Sequence, residues 1–261
     1  MDAPLYPDSN DENVWAHWSR GNYGPGDWSG SHNDLAAGVD LYHTDHSRAG
    51  ISVMHTNSSL DRTENLGEVS MKKKFTRVFL YGRHDFAGGL HAAGDVFAGG
   101  IRIKDTSLVD MSTRTAGVHA EVCVDVPAGR GTITPLVRAA YAGIRGFTTK
   151  DGEGFPFTMK ESHYSSFSAG LKASLPLSPV SLLTAYAGWG IRTGYDIDGT
   201  MSDAWNTMDI SESGKKHVKT LGIGYRCDVT PFARLSLSAA REFSSGLHDD
   251  WNFQVSAAYK F

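Results

Sequence analysis

The sequence predicts an all-β fold: a single antiparallel transmembrane β-barrel of about twelve strands, with short periplasmic turns and longer extracellular loops. Three observations predict it. Apolar and polar residues alternate with a period of two through segments long enough to cross a membrane. The joins between segments are short and long in alternation along the chain. Glycine is abundant, at 29 residues against 9 prolines, and much of it falls inside the alternating segments.

Composition narrows the class. A chain of 261 residues suits one large all-β domain. Mean hydropathy is negative, and no apolar run approaches the roughly 18 residues of a membrane helix, which excludes a helical membrane protein. A barrel remains compatible, because only every second residue of a strand meets lipid. The net charge of −4 argues against a nucleic-acid partner. The basic runs Lys72-Lys73-Lys74 and Lys215-Lys216 are short and read as solvated loop positions.

The strands follow in order. The first is predicted over 14–20 and the second over 35–42, separated by the long polar stretch 21–34. A tight join at 43–49 leads to the third, 50–57, and the long segment 58–75 leads to the fourth, 76–86. A turn at 87–89 enters the fifth, 90–103. In the sixth, 113–126, Ala116, Val118, Ala120, Val122, Val124 and Val126 oppose Thr115, Gly117, His119, Glu121 and Asp125. A turn at 127–131 precedes the seventh, 132–146, and the long stretch 147–163 precedes the eighth, 164–175. There Phe167, Ala169, Leu171, Ala173 and Leu175 oppose Ser168, Gly170, Lys172 and Ser174. The turn 176–180 enters the ninth, 181–195, and the long stretch 196–216 separates it from the tenth, 217–229. In the tenth, Leu221, Ile223, Tyr225 and Val229 oppose Thr220, Gly222, Gly224, Arg226 and Asp228. The turn 230–232 leads to the eleventh, 233–244.

The twelfth, 251–261, carries the clearest signal. Trp251, Phe253, Val255, Ala257, Tyr259 and Phe261 alternate with Asn252, Gln254, Ser256, Ala258 and Lys260. Such a strand, at about 3.3 Å per residue and tilted by roughly 40–45°, covers about 25 Å of membrane normal, the height of a barrel's apolar band. A soluble sandwich also alternates, but it has no reason to sort its loops by length. An even strand number leaves both sheet ends on the short-turn side. Gly38, Gly94, Gly117, Gly143, Gly170, Gly188, Gly190, Gly222 and Gly224 lie within strands, where they relieve curvature and leave room in the lumen.

Cys123 stands beside Glu121 and Asp125, whereas Cys227 runs in step with Ile223 and Tyr225. Their opposite facings exclude a disulfide, and two cysteines make no disulfide framework. Met1 leads directly into polar, proline-containing sequence without a secretory leader, so the chain is expected to be a piece of a longer protein.

Several segments together resemble the C-terminal β-barrel translocator domain of autotransporters, the type V secretion family. Val14-Trp15-Ala16 is similar to that family's first strand, and Asp34-Leu35-Ala36-Ala37-Gly38-Val39-Asp40 to its second. Arg48-Ala49-Gly50-Ile51-Ser52-Val53 resembles the third and Phe79-Leu80-Tyr81-Gly82 the fourth. Tyr259-Lys260-Phe261 is similar to the aromatic ending that the barrel-assembly machinery recognises. The resemblance implies a monomeric barrel in the outer membrane of a Gram-negative cell, in contact with its lipid and the assembly machinery. It also implies an N-terminal passenger, absent from this chain, that the barrel secretes and displays, and a helix threaded through the pore. Residues 14–261 would form the translocator, with 1–13 a linker or the remnant of the pore helix. Pro4 and Pro7 make that stretch a poor helix up to Asp8, and only Ser9–Asn13 suits a helix end, with Ser9 as N-cap. Five residues are too few to plug a pore.

The expected lumen-facing polar set is Arg83, Asp85, Asp95, Glu121, Asp125, Arg138, Lys172, Arg226 and Asp228, with Lys260 at the end of the last strand. It describes a wet channel for a polar polypeptide and needs no catalysis, cofactor or metal. Phe253, Val255, Tyr259 and Phe261 form the expected C-terminal assembly signal. The alternatives are an adhesin or small channel whose extracellular loops carry the function, and an outer-membrane hydrolase. For the latter, His163-Tyr164-Ser165 offers a serine and a histidine at a strand mouth, and His248-Asp249-Asp250 a rim pair. Asn10 or Asn13 with Glu121 or Asp125 would suit passenger self-cleavage. His43 and His46 flank a turn without further ligands.

Overall fold

A computed structural model describes residues 13–23, 29–64, 67–105, 110–150, 156–194, 197–202, 207–212, 216–244 and 250–260. Long strands alternate direction throughout. They are β1 (Val14–Tyr23), β2 (Ser29–His43), β3 (Ser47–Glu64), β4 (Gly67–Asp85), β5 (Leu90–Asp105) and β6 (Asp110–Val124, continued past Asp125 by Val126–Ala128). There follow β7 (Gly131–Ile144), β8 (Ser162–Ser178), β9 (Ser181–Thr193), β10 (Lys216–Thr230), β11 (Ala233–Ser244) and β12 (Asp250–Tyr259). Each pairs antiparallel with its sequence neighbours. β12 returns to β1, in register from Trp251 opposite Asn22 to Tyr259 opposite Val14. The sheet therefore closes into a twelve-stranded barrel. Closure pairs the ladder around the whole circumference, the condition for a sheet to survive in hydrocarbon.

The period of two decides which side chains face which solvent. Trp251, Phe253, Val255, Ala257 and Tyr259 point outward and are exposed, while the intervening residues of β12 turn inward. Leu35, Val53, Leu80, Val96, Val137, Leu171 and Ile223 extend that apolar outer face around the barrel. Exposed apolar surface on this scale belongs against lipid.

The short joins lie at one rim. Gly88 and Gly89 turn β4 into β5 at φ 78° and 79°, the left-handed region where a Cβ is costly. Between β2 and β3, the Thr44 hydroxyl accepts from the Ser47 amide at 2.9 Å, closing a side-chain turn. At the other rim the structure departs from the expected long loops. The expected loop 58–75 is instead an extension of β3 and β4, paired as far as Glu64 opposite Gly67. Stretches 147–163 and 196–216 contain the hairpin strands Phe147–Lys150 with Pro156–Met159, and Ile197–Ser202 with Thr207–Glu212. These join in a separate four-stranded antiparallel sheet. Apolar alternation ends at the level where both strand faces meet water, but the backbone ladder continues. Periodicity alone therefore cut these strands short.

The interior is unequal. Trp15, Ala36, Met54, Phe79, Tyr81 and Phe97 form a buried cluster on β1–β5, with Ala142 and Ala258 against it. The glycines beside it have a more specific role than relieving curvature. A Cβ at Gly38 would come within 2.5 Å of the Trp15 ring, and one at Gly117 within 2.6 Å of Phe97. Bare backbone is what lets each ring lie flat on its neighbouring strand. The segment expected as a linker or helix remnant, 1–13, lies outside the described residues apart from Asn13, and Phe261 also lies outside them.

Candidate functional site

The candidate site is the polar side of the lumen, opposite the aromatic cluster. Here strand parity brings together residues far apart in sequence. Near the short-turn rim, Arg83 Nε donates to Asp85 Oδ1 at 2.8 Å along β4. The His91 ring on β5 bridges two carboxylates, with Nδ1 2.7 Å from Asp85 Oδ1 and Nε2 3.1 Å from Asp125 Oδ2. Thr134 on β7 donates to the other oxygen of Asp125 at 2.5 Å. Four strands are thus tied by one chain of charge-assisted hydrogen bonds.

Further along the barrel axis, Arg138 on β7 pairs with Glu121 on β6. Its guanidinium also lies 5.5 Å from the centre of the Tyr186 ring on β9. Tyr186 itself rests over Gly170 and Gly188. His119 Nδ1 lies 2.8 Å from the buried Asp95, and its ring stacks on Phe97. Arg192 on β9 holds both carboxylate oxygens of Glu242 on β11 in a bidentate pair. On the far wall Arg234 Nε donates to Asp228 at 2.5 Å.

Of the sequence-expected set, Arg83, Glu121, Asp125, Arg138, Lys172 and Arg226 line one continuous cavity of about 650 Å³. Asp85, Asp95 and Asp228 stand behind them as their partners or those of neighbouring side chains. Lys260 sits at the short-turn rim, where its amide donates to Phe232 O at 2.9 Å. Sequence reasoning missed His17, His91, Tyr186, Arg192, Arg234 and Glu242. Parity held the signal for several of these: Tyr186, Gly188, Gly190 and Arg192 alternate along one face of β9. Cys123 lines the lumen cavity, and both cysteines are free thiols.

The residues considered for chemistry are arranged otherwise. The Ser165 hydroxyl pairs with Thr193 at 2.6 Å, while His163 Nδ1 lies 2.8 Å from the Tyr141 hydroxyl. Asn13 is anchored by its backbone, donating to Tyr259 O and accepting from the Asp40 amide. Asn10, His248 and Asp249 lie outside the described residues. His43 Nδ1 approaches Asp40 at 3.7 Å, and among the described residues no three such side chains converge as a metal site. At the long-loop rim, Arg102 donates to both oxygens of Asp110, and Lys104 adds a further charge. The hydrogen bonds from Arg102 hold the Asp110 carboxyl well below the usual carboxylate range.

The family model of the autotransporter beta-domain matches residues 13–240. The chain belongs to the autotransporter family. Its solved relatives agree on the fold of this beta-domain. The beta domain of the Bordetella autotransporter BrkA superposes with a TM-score of 0.74 at 15% identity, covering 96% of this chain and 100% of that one. The transport unit of AIDA-I from Escherichia coli gives 0.75 at 16%, covering 100% and 93%. The translocator domain of NalP from Neisseria meningitidis gives 0.67 at 16%, covering 97% and 90%. A search of curated protein sequences finds no match. As an autotransporter beta-domain, the chain is an outer-membrane barrel that serves secretion of a passenger domain. The short-turn rim is accordingly periplasmic and the long-loop rim extracellular.

Proposed function

We propose that the polar half of the lumen, between the Arg83–His91–Asp125 network and the Arg192–Glu242 pair, is the path and resting place of the passenger's connecting segment. The observation that supports this is the lumen's asymmetry. The aromatic cluster fills much of the β1–β5 side, and the cavity lies mainly against β6–β12, reaching Arg83 and His91 near the short-turn rim, with charges of both signs exposed to it. Such a wall exchanges hydrogen bonds with a polar backbone without holding any one sequence. Arg226 and Lys172 supply cations, and Glu121 and Asp125 supply carboxylates. The barrel does its work as a monomer and without catalysis. The outward residues Phe253, Val255 and Tyr259, together with the terminal Phe261, are the element the assembly machinery reads.

Cross-linking tests the path. In the full-length protein, Lys172→Cys with a single cysteine in the segment preceding residue 14 should form a disulfide once the passenger is outside. The outward Ala173→Cys should not. Equal yields from both positions would refute a lumenal path. Deleting Phe261 should reduce insertion into the outer membrane, and unchanged insertion would remove its role.

A second reading has its own support. The four-stranded sheet of the two extracellular hairpins offers an ordered platform beyond the barrel mouth. If it is adhesive, grafting 147–159 and 197–212 onto another barrel should transfer binding.

A further inference from the structure

We propose that the outward face of β4–β6, at its extracellular end, docks the phosphate-bearing headgroup of an outer-leaflet lipid. The run Lys72-Lys73-Lys74 is not a loop but part of β4, paired with β5. Phe79 and Tyr81 on β4 are buried in the barrel, whereas Val78 and Leu80 are exposed outside. Lys72 and Lys74 share the parity of Val78 and are likewise exposed. Across the ladder Lys74 stands opposite Arg102, and Lys72 opposite Lys104. Arg114 follows on β6, opposite Gly100, and the amide of Arg145 donates to its carbonyl at 2.9 Å.

Like charges directly opposite one another, with Cβ atoms about 5 Å apart, destabilise a sheet. Five cations on one face therefore call for an anion. Among the side chains described on this face of β4–β6, Asp110 is the one carboxylate, engaged with Arg102 and Lys104. It leaves most of the charge unmatched. Guanidinium groups suit phosphate in particular, because their donors fit its oxygens in pairs.

The position selects a lipid. Directly below the cations the outer face is small, with Thr76, Ala98, Gly100 and Ala116; a Cβ at Gly100 would meet nothing within 4 Å. Below these begin the exposed valines 78, 96 and 118 of the lipid band. A headgroup held by the cations would lay its acyl chains over that recess. The periplasmic end of the same face carries Ala92, Gly94, Val122 and His84, with no lysine or arginine.

The test uses the whole chain, refolded in neutral detergent. Native mass spectrometry would count bound diphosphorylated lipid A and its dephosphorylated form. The phosphorylated lipid should bind more tightly and lose affinity as salt is raised. Combining Lys74→Gln, Arg102→Gln and Arg114→Gln should weaken it by about a hundredfold. Arg20→Gln, on the outer face of β1, should not. The mobility shift on boiling verifies that each variant is folded. The proposal fails if the triple variant binds like the parent, or if the dephosphorylated lipid binds equally well. It also fails if inorganic phosphate or a soluble polyanion such as heparin displaces the lipid at matched phosphate or sulfate concentration.

Discussion

Trp15 Nε1 donates to the Tyr81 hydroxyl at 3.0 Å, joining residues 66 positions apart across the barrel interior. Tyr81 in turn donates to Asp40 Oδ1 at 2.5 Å. One indole, one phenol and one carboxylate thus tie β1, β4 and β2 together inside the barrel.

The first prediction concerns this chain. Tyr81→Phe keeps the ring but leaves the buried indole without its acceptor, at a cost of about 1–3 kcal/mol. Gly38→Val should cost at least as much, because its side chain would displace the Trp15 ring. Gly100→Ala, with open space around its Cβ, should be neutral. Urea unfolding in lipid vesicles measures all three. Equal midpoints for Gly38→Val and Gly100→Ala would refute the packing argument.

A second contrast separates buried from exposed ion pairs. Glu242 is 2% exposed and Arg192 16% by side chain. Glu242→Ala removes the bidentate partner of Arg192 in the lumen wall, and a loss of about 3 kcal/mol is expected. Asp110→Ala breaks an exposed pair at the extracellular rim and should cost at most about 1 kcal/mol. If the two variants behave alike, the lumen wall is as well solvated as the rim.

Adjacent residues on β12 should respond in opposite ways. Val255→Arg places a charge in lipid, at about 2–4 kcal/mol near the midplane. Gln254→Arg places the same charge in the wet lumen, and insertion should be nearly normal. Insertion yield in vesicles decides. Similar yields would mean that Val255 and Gln254 do not face lipid and lumen respectively.

Closure can be tested directly. His17 on β1 lies opposite Ser256 on β12, with ring nitrogen and hydroxyl 3.3 Å apart. His17→Cys combined with Ser256→Cys should oxidise to an intramolecular disulfide, once the native cysteines are replaced by serine. The cross-linked protein should keep its compact mobility even after boiling. Free thiols under oxidising conditions would indicate an open sheet.

Strand number, short turns, outer apolar face and closed class were all legible from pattern. They follow from short-range rules: a period of two, and glycine, proline or threonine where the chain turns sharply. The rows 251–261 and 221–229 show the outer face residue by residue. The lumen-lining residues carried a weaker mark, since polar residues in step along a strand indicate an inward face without indicating a partner.

Partners were decided by tertiary structure. That His91 bridges Asp85 and Asp125, or that Arg192 reaches Glu242, depends on register between strands and on curvature that brings distant side chains within 3.1 Å. No spacing within one strand encodes either. The aromatic cluster and the paired extensions of β3 and β4 belong to the same class. Alternation reports the solvent each face meets, so the sequence by itself determined a barrel with a lipid side and a wet side. Closure of the sheet alone decided which inward residues meet, because contacts across a lumen are set by three-dimensional distance rather than by periodicity.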